Sequence, residues 1–400
     1  MTQSETPPLE TAGARFRTPR KKKPKPRSPF KMQRYGGWLP YVWHGMRFGD
    51  WVKLLLRGRF DITLNCLPYI LTTTLVTPLN SALYYVSEWL YRRRAESLAL
   101  DGEQPVFVVG HWRTGTTLLH DLLASDPAFA FPTTYECAMP NHFLLTEGVL
   151  DRALGPFLPA RRPQDDVPVG FDRPQEEEFA YAILGMGTPY STMAWPRHGP
   201  ADTDYLDLEG LAPEEKRRWS LGCLWLYRRL ALRHGRPLVL KSPPHTGRVK
   251  LLLHHFPRAR FVHIARDPLA VVPSTIRLWE ALYSSQGLHN PPRMQDWIEA
   301  YVLDAFERLE ERYAADRALI PDGQLAEIRY EELVADPKGV MRRVYGSLGL
   351  GPFARAEPYV DAYLADRRQH RVTVHDLAAD RRQRIETRLA AYRRRFGYAK

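Results

Sequence analysis

Between residues 105 and 330 the apolar positions fall into short β-branched runs separated by longer stretches of helical period. PVFVV at 105–109, RPLVLK at 236–241, RARFVHIA at 258–265 and LAEIRY at 325–330 have the length and composition of strands. Helical spacing fills the gaps: 214–233 from a start at Pro213, 296–315 with Ile298, Val302, Ala305 and Leu309 on one face, and 380–395. Strands alternating with helices predict a central parallel sheet covered by helices on both faces, an α/β/α arrangement of three layers. No internal repeat interrupts it. Residues 151–212, rich in Pro, Gly and Asp, predict a long insertion beside the mouth of the site, where ligand contacts commonly sit.

Upstream the pattern changes. Residues 62–87 hold no charged side chain, and Leu64, Leu67, Leu71, Leu75, Leu79, Leu83, Val86 and Leu90 recur at helical spacing, with Arg92, Arg93 and Arg94 just beyond. Asn65, Pro68, the threonines between 72 and 77, Pro78 and Asn80 form a polar back. One apolar stripe with a polar back predicts a helix lying on something. Three partners stay open: the main domain or a second subunit, a membrane surface, and the bilayer core, which the length of the segment would cross.

Composition sharpens this division. The chain of 400 residues is 44% hydrophobic, enough for a sizeable core, and exceeds the usual size of one compact core. Its net charge of +12 is uneven, because residues 1–35 carry ten Lys/Arg against Glu5 and Glu10. With six prolines in the same stretch, that tail is too polar to bury a core and reads as disordered. The boundaries expected are therefore a basic tail at 1–36, a helical extension at 37–100 and the main domain at 101–400. The globular part carries no nucleic-acid signature. Cys66, Cys137 and Cys223 lie far apart without metal-like spacing, which argues against a disulfide framework and a zinc site and for a reducing, cytoplasmic compartment.

The densest chemistry lies in GHWRTGTTLL at 110–119, where a strand turns into a helix through two glycines. A nucleotide kinase or ATPase would read G-x-x-x-x-G-K-[ST]. Gly110 and Gly115 keep that spacing, but Thr116 stands where the lysine belongs and Arg113 supplies the cation. Backbone N–H groups from Gly115 to Thr117 at a helix N-terminus, with the hydroxyls of Thr114, Thr116 and Thr117, make an anion cradle without the γ-phosphate machinery. Lys241 and Ser242 end the second strand and Arg266 the third, so Arg113, Lys241 and Arg266 meet at the carboxyl edge of the sheet, where open parallel sheets bind ligands. Three cations there suit a ligand with several phosphate-like groups.

These residues resemble the sulfotransferase family. GHWRTGTTLL looks like its 5′-phosphosulfate loop, Arg266 followed by Ser274 like its 3′-phosphate signature, and IRYEELVADP at 328–337 like the segment whose tyrosine, here Tyr330, lies near the adenine. The likeness spans about 103–350 and is greatest to the bacterial branch, whose loop carries arginine, as also in protein-tyrosine sulfotransferases. It implies a P-loop-type fold and 3′-phosphoadenosine-5′-phosphosulfate as sulfuryl donor, with no metal. By the same resemblance Arg113, Thr114, Gly115, Thr116 and Thr117 hold the 5′-phosphosulfate, Arg266 and Ser274 the 3′-phosphate, and Lys241 the charge on the sulfuryl group. Glu136 in FPTTYECAMP follows Arg113 at about the interval of the catalytic glutamate of carbohydrate and tyrosine sulfotransferases, and His245 in KSPPH competes for the role of base.

Each has a plainer reading. Glu136 also suits a helix-capping or ion-pairing carboxylate, Gln175 to Glu178 an exposed first turn of a helix or a contact to the acceptor, and Cys137 a small buried apolar residue. His142 is a further candidate for the pocket wall. The Arg-Lys-Gly end of cytosolic members is missing; RRQHR at 367–371 stands in the comparable region. The acceptor expected is a hydroxyl or amine of a small molecule, lipid or glycan, with membrane-surface association through 15–90, at the inner face, and a homodimer both open. Two other functions stand beside this one: a P-loop nucleotide kinase, which the missing lysine disfavours, and a membrane-associated scaffold with a vestigial loop, motivated by the basic tail and the leucine stripe.

Overall fold

The computed structural model describes residues 42–100, 102, 104–155, 170–291, 296–366 and 377–399. The basic tail and the RRQHR segment lie outside them. Four strands, β1 (Val106–Val109), β2 (Val239–Lys241), β3 (Arg260–Ala265) and β4 (Leu325–Arg329), form one parallel sheet in the order β2-β1-β3-β4. Val106 stands opposite Val239 on one side and Arg260 on the other, and Phe261 opposite Leu325. All four strands fall on the apolar runs predicted for them. β1 is buried at every position, which is why its sequence is apolar without alternation.

Helices cover both faces. Phe107, Val109, Leu240 and Phe261 pack with Trp219, Leu226 and Leu230 of a long helix, Pro213–His234. Val106, Val108, Val239 and Ile264 pack on the other side with Leu119 and Leu122 of Thr116–Ala124 and with Val340 and Val344 of Pro337–Leu348. In chain order the helices used below are α1 (Phe48–Arg57), α2 (Leu67–Glu96), α3 (Thr116–Ala124), α4 (Thr134–Ala138), α5 (Glu177–Ile183), α6 (Pro213–His234), α7 (Pro268–Gln286), α8 (Asp296–Asp316), α9 (Tyr330–Ala335), α10 (Pro337–Leu348), α11 (Ala379–Arg388) and α12 (Ala390–Arg395). α6 starts on Pro213 and stops at Gly235, whose left-handed φ of 60° suits a residue without Cβ. Ile298, Val302, Ala305 and Leu309 of α8 are buried, as their spacing predicts.

One expectation is corrected and one open choice is narrowed. The single helix at 380–395 is two helices that break at Leu389, so that Ile385, Leu389 and Tyr392 all reach the core. The leucine stripe at 64–90 belongs to a helix, but it does not face the main domain. Thr73, Thr77, Asn80 and Ser87 of α2 are buried, while Leu64, Leu71, Leu75 and Leu79 are exposed. The polar back carries hydrogen bonds that hold the helix down: Trp51 Nε1 donates to Thr74 Oγ1 at 2.9 Å, and Asn80 Nδ2 to Met46 O at 3.0 Å. Among the described residues no helix is long and apolar enough to cross a membrane.

Candidate active site

Each strand hands the chain to the same edge of the sheet. β1 enters the loop Gly110–Gly115, β2 ends in Lys241, β3 is followed by Arg266 and β4 by Tyr330. The loop is held from several sides. Gly110 N–H donates to Thr246 Oγ1 at 2.7 Å, the Thr114 hydroxyl to His111 O at 2.7 Å, and the Thr275 hydroxyl to Trp112 O at 3.2 Å. Gly115 has φ +107°, and a Cβ there would stand 2.4 Å from the Tyr330 ring, so only glycine lets the loop pass under the tyrosine. Arg113 adopts φ +68°, a left-handed conformation unusual for a side chain of that size. α3 then begins, its first-turn N–H groups pointing back into the loop as an anion site.

Around this cradle the predicted donor residues converge. Arg113 Nε donates to Ser274 Oγ of α7 at 3.0 Å. Arg266 donates to Arg113 O at 3.0 Å, and its guanidinium carbon lies 4.0 Å from the centre of the Tyr330 ring. Burial lowers the pKa of Arg266 from its ordinary value, and Tyr330 and Glu331 act against that shift. Thr114 and Thr116 are buried, and Thr117 is half-buried. Residues separated by as much as 217 positions in sequence thus form one corner with two guanidiniums, hydroxyls and helix N–H groups turned to a common side.

The Lys241 side is built differently. Its ammonium pairs with Glu176 Oε1. The other Glu176 oxygen accepts from the Tyr190 hydroxyl, which itself accepts from Trp112 Nε1 of the loop at 2.9 Å. Burial holds the Tyr190 phenol well above its ordinary pKa, with the Glu176 charge adding to the effect. The next two glutamates also have partners. Glu177 accepts from the Lys241 N–H at 3.1 Å and lies 2.8 Å from His245 Nε2, close enough for an ion pair but off the line of a hydrogen bond. Glu178 takes the Arg248 guanidinium on both oxygens at 2.8 and 3.0 Å and the Ser242 hydroxyl at 2.7 Å. Burial pushes the Glu178 carboxyl up, and Arg248 more than offsets it, leaving its pKa below the ordinary value.

The exposed-turn reading of Gln175 to Glu178 is therefore overturned: Glu177 and Glu178 are buried, and KSPPHTGR supplies a base to each of the three carboxylates. These partners stand 64–70 residues away, beyond any local pattern. One local sign existed. The run is followed by Phe-Ala-Tyr-Ala-Ile-Leu, so none of these carboxylates has a lysine or arginine one turn along to pair with. Glu176 was expected only within a run read as an exposed turn or an acceptor contact, and Trp112 was not among the site residues expected from sequence.

The two expected bases are bonded elsewhere. Glu136 is fully buried at the third position of α4, where its Oε2 accepts from the Thr133 N–H at 2.7 Å and the Thr133 hydroxyl accepts from its own N–H at 3.1 Å. Its Oε1 lies 2.9 Å from His234 Nε2 at the end of α6. This is a capping box, with the His234 ring set against its second oxygen. His245 is buried between Phe107, Tyr181 and Glu177. His142 is buried against Thr146 at 2.9 Å and Asn80 of α2 at 3.3 Å, and burial lowers its pKa to about 4. The Cys137 thiol is buried and raised well above its ordinary pKa by that burial. Asp267 caps α7, accepting from the Leu269 N–H at 3.0 Å.

Asp61, His198 and His289 have the spacing of metal ligands. His289 Nε2, however, accepts from the Arg197 N–H at 2.9 Å, which puts its proton on Nδ1, facing Asp61 Oδ2 at 2.8 Å. The group is a hydrogen-bonded cluster.

Comparison with known proteins gives the following. A family model described as "Sulfotransferase family" matches residues 105–354. The proteins named omega-hydroxy-beta-dihydromenaquinone-9 sulfotransferase Stf3 in Mycobacterium bovis and Mycobacterium tuberculosis are each 37% identical over 376 residues, covering 93% of this chain and 95% of theirs. Among solved structures, sulfotransferase STF9 from Mycobacterium avium aligns with a TM-score of 0.63 at 20% identity, over 87% of this chain and 96% of its own. Sulfotransferase STF1 from M. tuberculosis H37Rv aligns with a TM-score of 0.57 at 19% identity, over 86% and 92%. At such identities the two structures speak for the fold alone.

Proposed function

The chain belongs to the sulfotransferase family and is a sulfotransferase, and on that premise we propose that it moves a sulfuryl group from 3′-phosphoadenosine-5′-phosphosulfate to the hydroxyl of an apolar, lipid-like acceptor. The observation that carries the donor half is the convergence of Arg113, Ser274, Arg266 and Tyr330 on the loop, with Gly115 pressed under the tyrosine ring. In this reading Arg113, Thr114, Gly115, Thr116 and Thr117 hold the 5′-phosphosulfate, Arg266 and Ser274 the 3′-phosphate, and Tyr330 the adenine. The charge is met by side-chain cations and N–H groups rather than by the lysine of an ATPase loop.

For the chemical step we assign the base to Glu176, because it is the carboxylate bonded to the Lys241 ammonium. The acceptor oxygen attacks sulfur in line, forming an O–S bond as the S–O bond to the 5′-phosphate breaks. The acceptor's proton passes to Glu176, and 3′,5′-adenosine bisphosphate leaves with its new charge facing Lys241. Tyr190 holds the second Glu176 oxygen and so sets the direction of the first. The acceptor class is proposed from the 37%-identical relatives, whose name gives omega-hydroxy-beta-dihydromenaquinone-9. A cytoplasmic location fits the three buried cysteines, none of which is in a disulfide.

The test is transfer from radiolabelled donor to a host lipid extract and, in parallel, to a panel of water-soluble phenols, sugars and peptides. Label in a hydroxylated lipid supports the proposal. Exclusive label in protein tyrosine or in water-soluble acceptors overturns the acceptor class, and preference for ATP with magnesium over 3′,5′-adenosine bisphosphate in a binding titration overturns the donor.

A further inference from the structure

Helix α2 is built inside out. Its polar side is turned to the protein, as the bonds from Trp51, Asn80 and His142 show. Its apolar side faces outward: Leu67, Leu71, Leu75, Leu79, Val86 and Trp89 are all exposed, Leu75 by 77% and Trp89 by 82%. At 3.6 residues per turn these positions fall on one side of the helix, a stripe roughly 33 Å long at 1.5 Å per residue. Glu88, the acidic residue in its midst, is turned inward to Arg229 and leaves the stripe uncharged. A monomer in water seldom exposes so long an apolar surface, which marks an interaction site.

The charges at its ends choose the occupant. Arg59 is exposed before the stripe and Arg93 and Arg94 after it, Arg57 and Arg92 being paired with Asp202 and Glu96, and the sequence adds ten Lys/Arg within residues 1–35. Two copies joined through this face, parallel or antiparallel, would set cations against cations at both ends. An anionic lipid surface instead offers phosphates to every cation and acyl chains to every leucine. Spanning is not available to the helix, because its polar side is bonded to the domain. We propose that the exposed face of α2 docks the enzyme in the plane of an anionic membrane leaflet, its leucines and Trp89 at the acyl boundary and its arginines among the headgroups. This inference does not depend on the acceptor proposed above.

The full-length protein is sedimented with vesicles of phosphatidylcholine alone and with about one third phosphatidylglycerol, beside L75E/L79E at mid-helix and Trp89→Ser at its end. The wild type is expected to partition onto the anionic vesicles, and each variant, melting as the wild type does, to lose about tenfold or more in partition coefficient. A wild type that stays in solution with both vesicles overturns the proposal, as do folded variants that bind like the wild type. Sedimentation velocity without lipid supplies the remaining arm: a wild-type dimer that both variants convert to monomers assigns the face to a second copy and overturns it too.

Discussion

The donor corner and the carboxylate wall beside Lys241 meet at the same sheet edge and are built on opposite plans. The donor corner gathers short motifs that follow the strands, and its cations make bonds to a hydroxyl and a backbone oxygen, Arg113 to Ser274 and Arg266 to Arg113 O. The carboxylate wall stacks three consecutive glutamates, each pairing with a different base of one segment. The first plan sets two guanidiniums, hydroxyls and helix N–H groups around one loop. The second neutralises charge pair by pair, so it fixes geometry and leaves one carboxylate, Glu176, between Lys241 and Tyr190 at the boundary of the two regions.

Substitutions should separate the two plans. The largest effect is expected from Arg248→Met, which leaves Glu178 buried without its guanidinium. Urea denaturation should show a loss of about 3–5 kcal/mol, the cost typical of an orphaned buried charge; a loss near zero would mean that the wall does not depend on its pairs. Arg113→Ala removes a cation from the donor corner without burying a charge. It should lower turnover about 10²–10³-fold, with melting close to wild type, because a charge-assisted contact to the reacting group is lost.

A smaller effect separates the regions by pH. His142, buried against α2, stays neutral in the folded protein down to about pH 4, whereas an unfolded histidine titrates at 6.5. The unfolded chain therefore binds more protons between these values, so stability is fully present above pH 6.5 and falls as pH drops toward 4. By pH 5 this residue alone accounts for about 2 kcal/mol, and His142→Gln should flatten the fall of the unfolding free energy, measured by urea denaturation, by that amount. Smallest is Ser274→Ala, which deletes the hydroxyl facing Arg113: affinity for 3′,5′-adenosine bisphosphate should weaken about fivefold to tenfold, roughly 1 kcal/mol, in isothermal titration.

What was legible in the sequence follows the same division. The strands and the loop are written in contiguous residues, because a parallel strand buried on both faces must be an apolar run and a tight strand-to-helix turn must carry glycine. Arg266 could be placed because it follows a strand, and Ser274 and Tyr330 because the segments that carry them resemble those of the family. Glu136 was given a catalytic expectation that its surroundings explain in another way: Thr133-x-x-Glu136 is itself a capping-box spacing, readable locally, and the structure closes that box. Glu176 could not be singled out, since its meaning comes from Lys241, 65 residues away, and from Tyr190, whose hydroxyl selects one oxygen. The orientation of α2 was equally hidden. Its stripe is visible in sequence, but which side meets the protein depends on tertiary hydrogen bonds from Trp51 and His142.

The assignment of the base tests the account most directly. Single-turnover transfer of labelled sulfuryl group should be measured for Glu176→Gln and Glu136→Gln side by side, with 3′,5′-adenosine bisphosphate affinity as a control. The account predicts that Glu176→Gln loses about 10²–10³-fold in rate with the nucleotide bound as in the wild type, and that Glu136→Gln, whose amide oxygen still accepts from the Thr133 N–H and so keeps the capping box, keeps its rate within about threefold. A Glu176→Gln enzyme that turns over like the wild type, beside a Glu136→Gln enzyme that folds and is inactive, would contradict it.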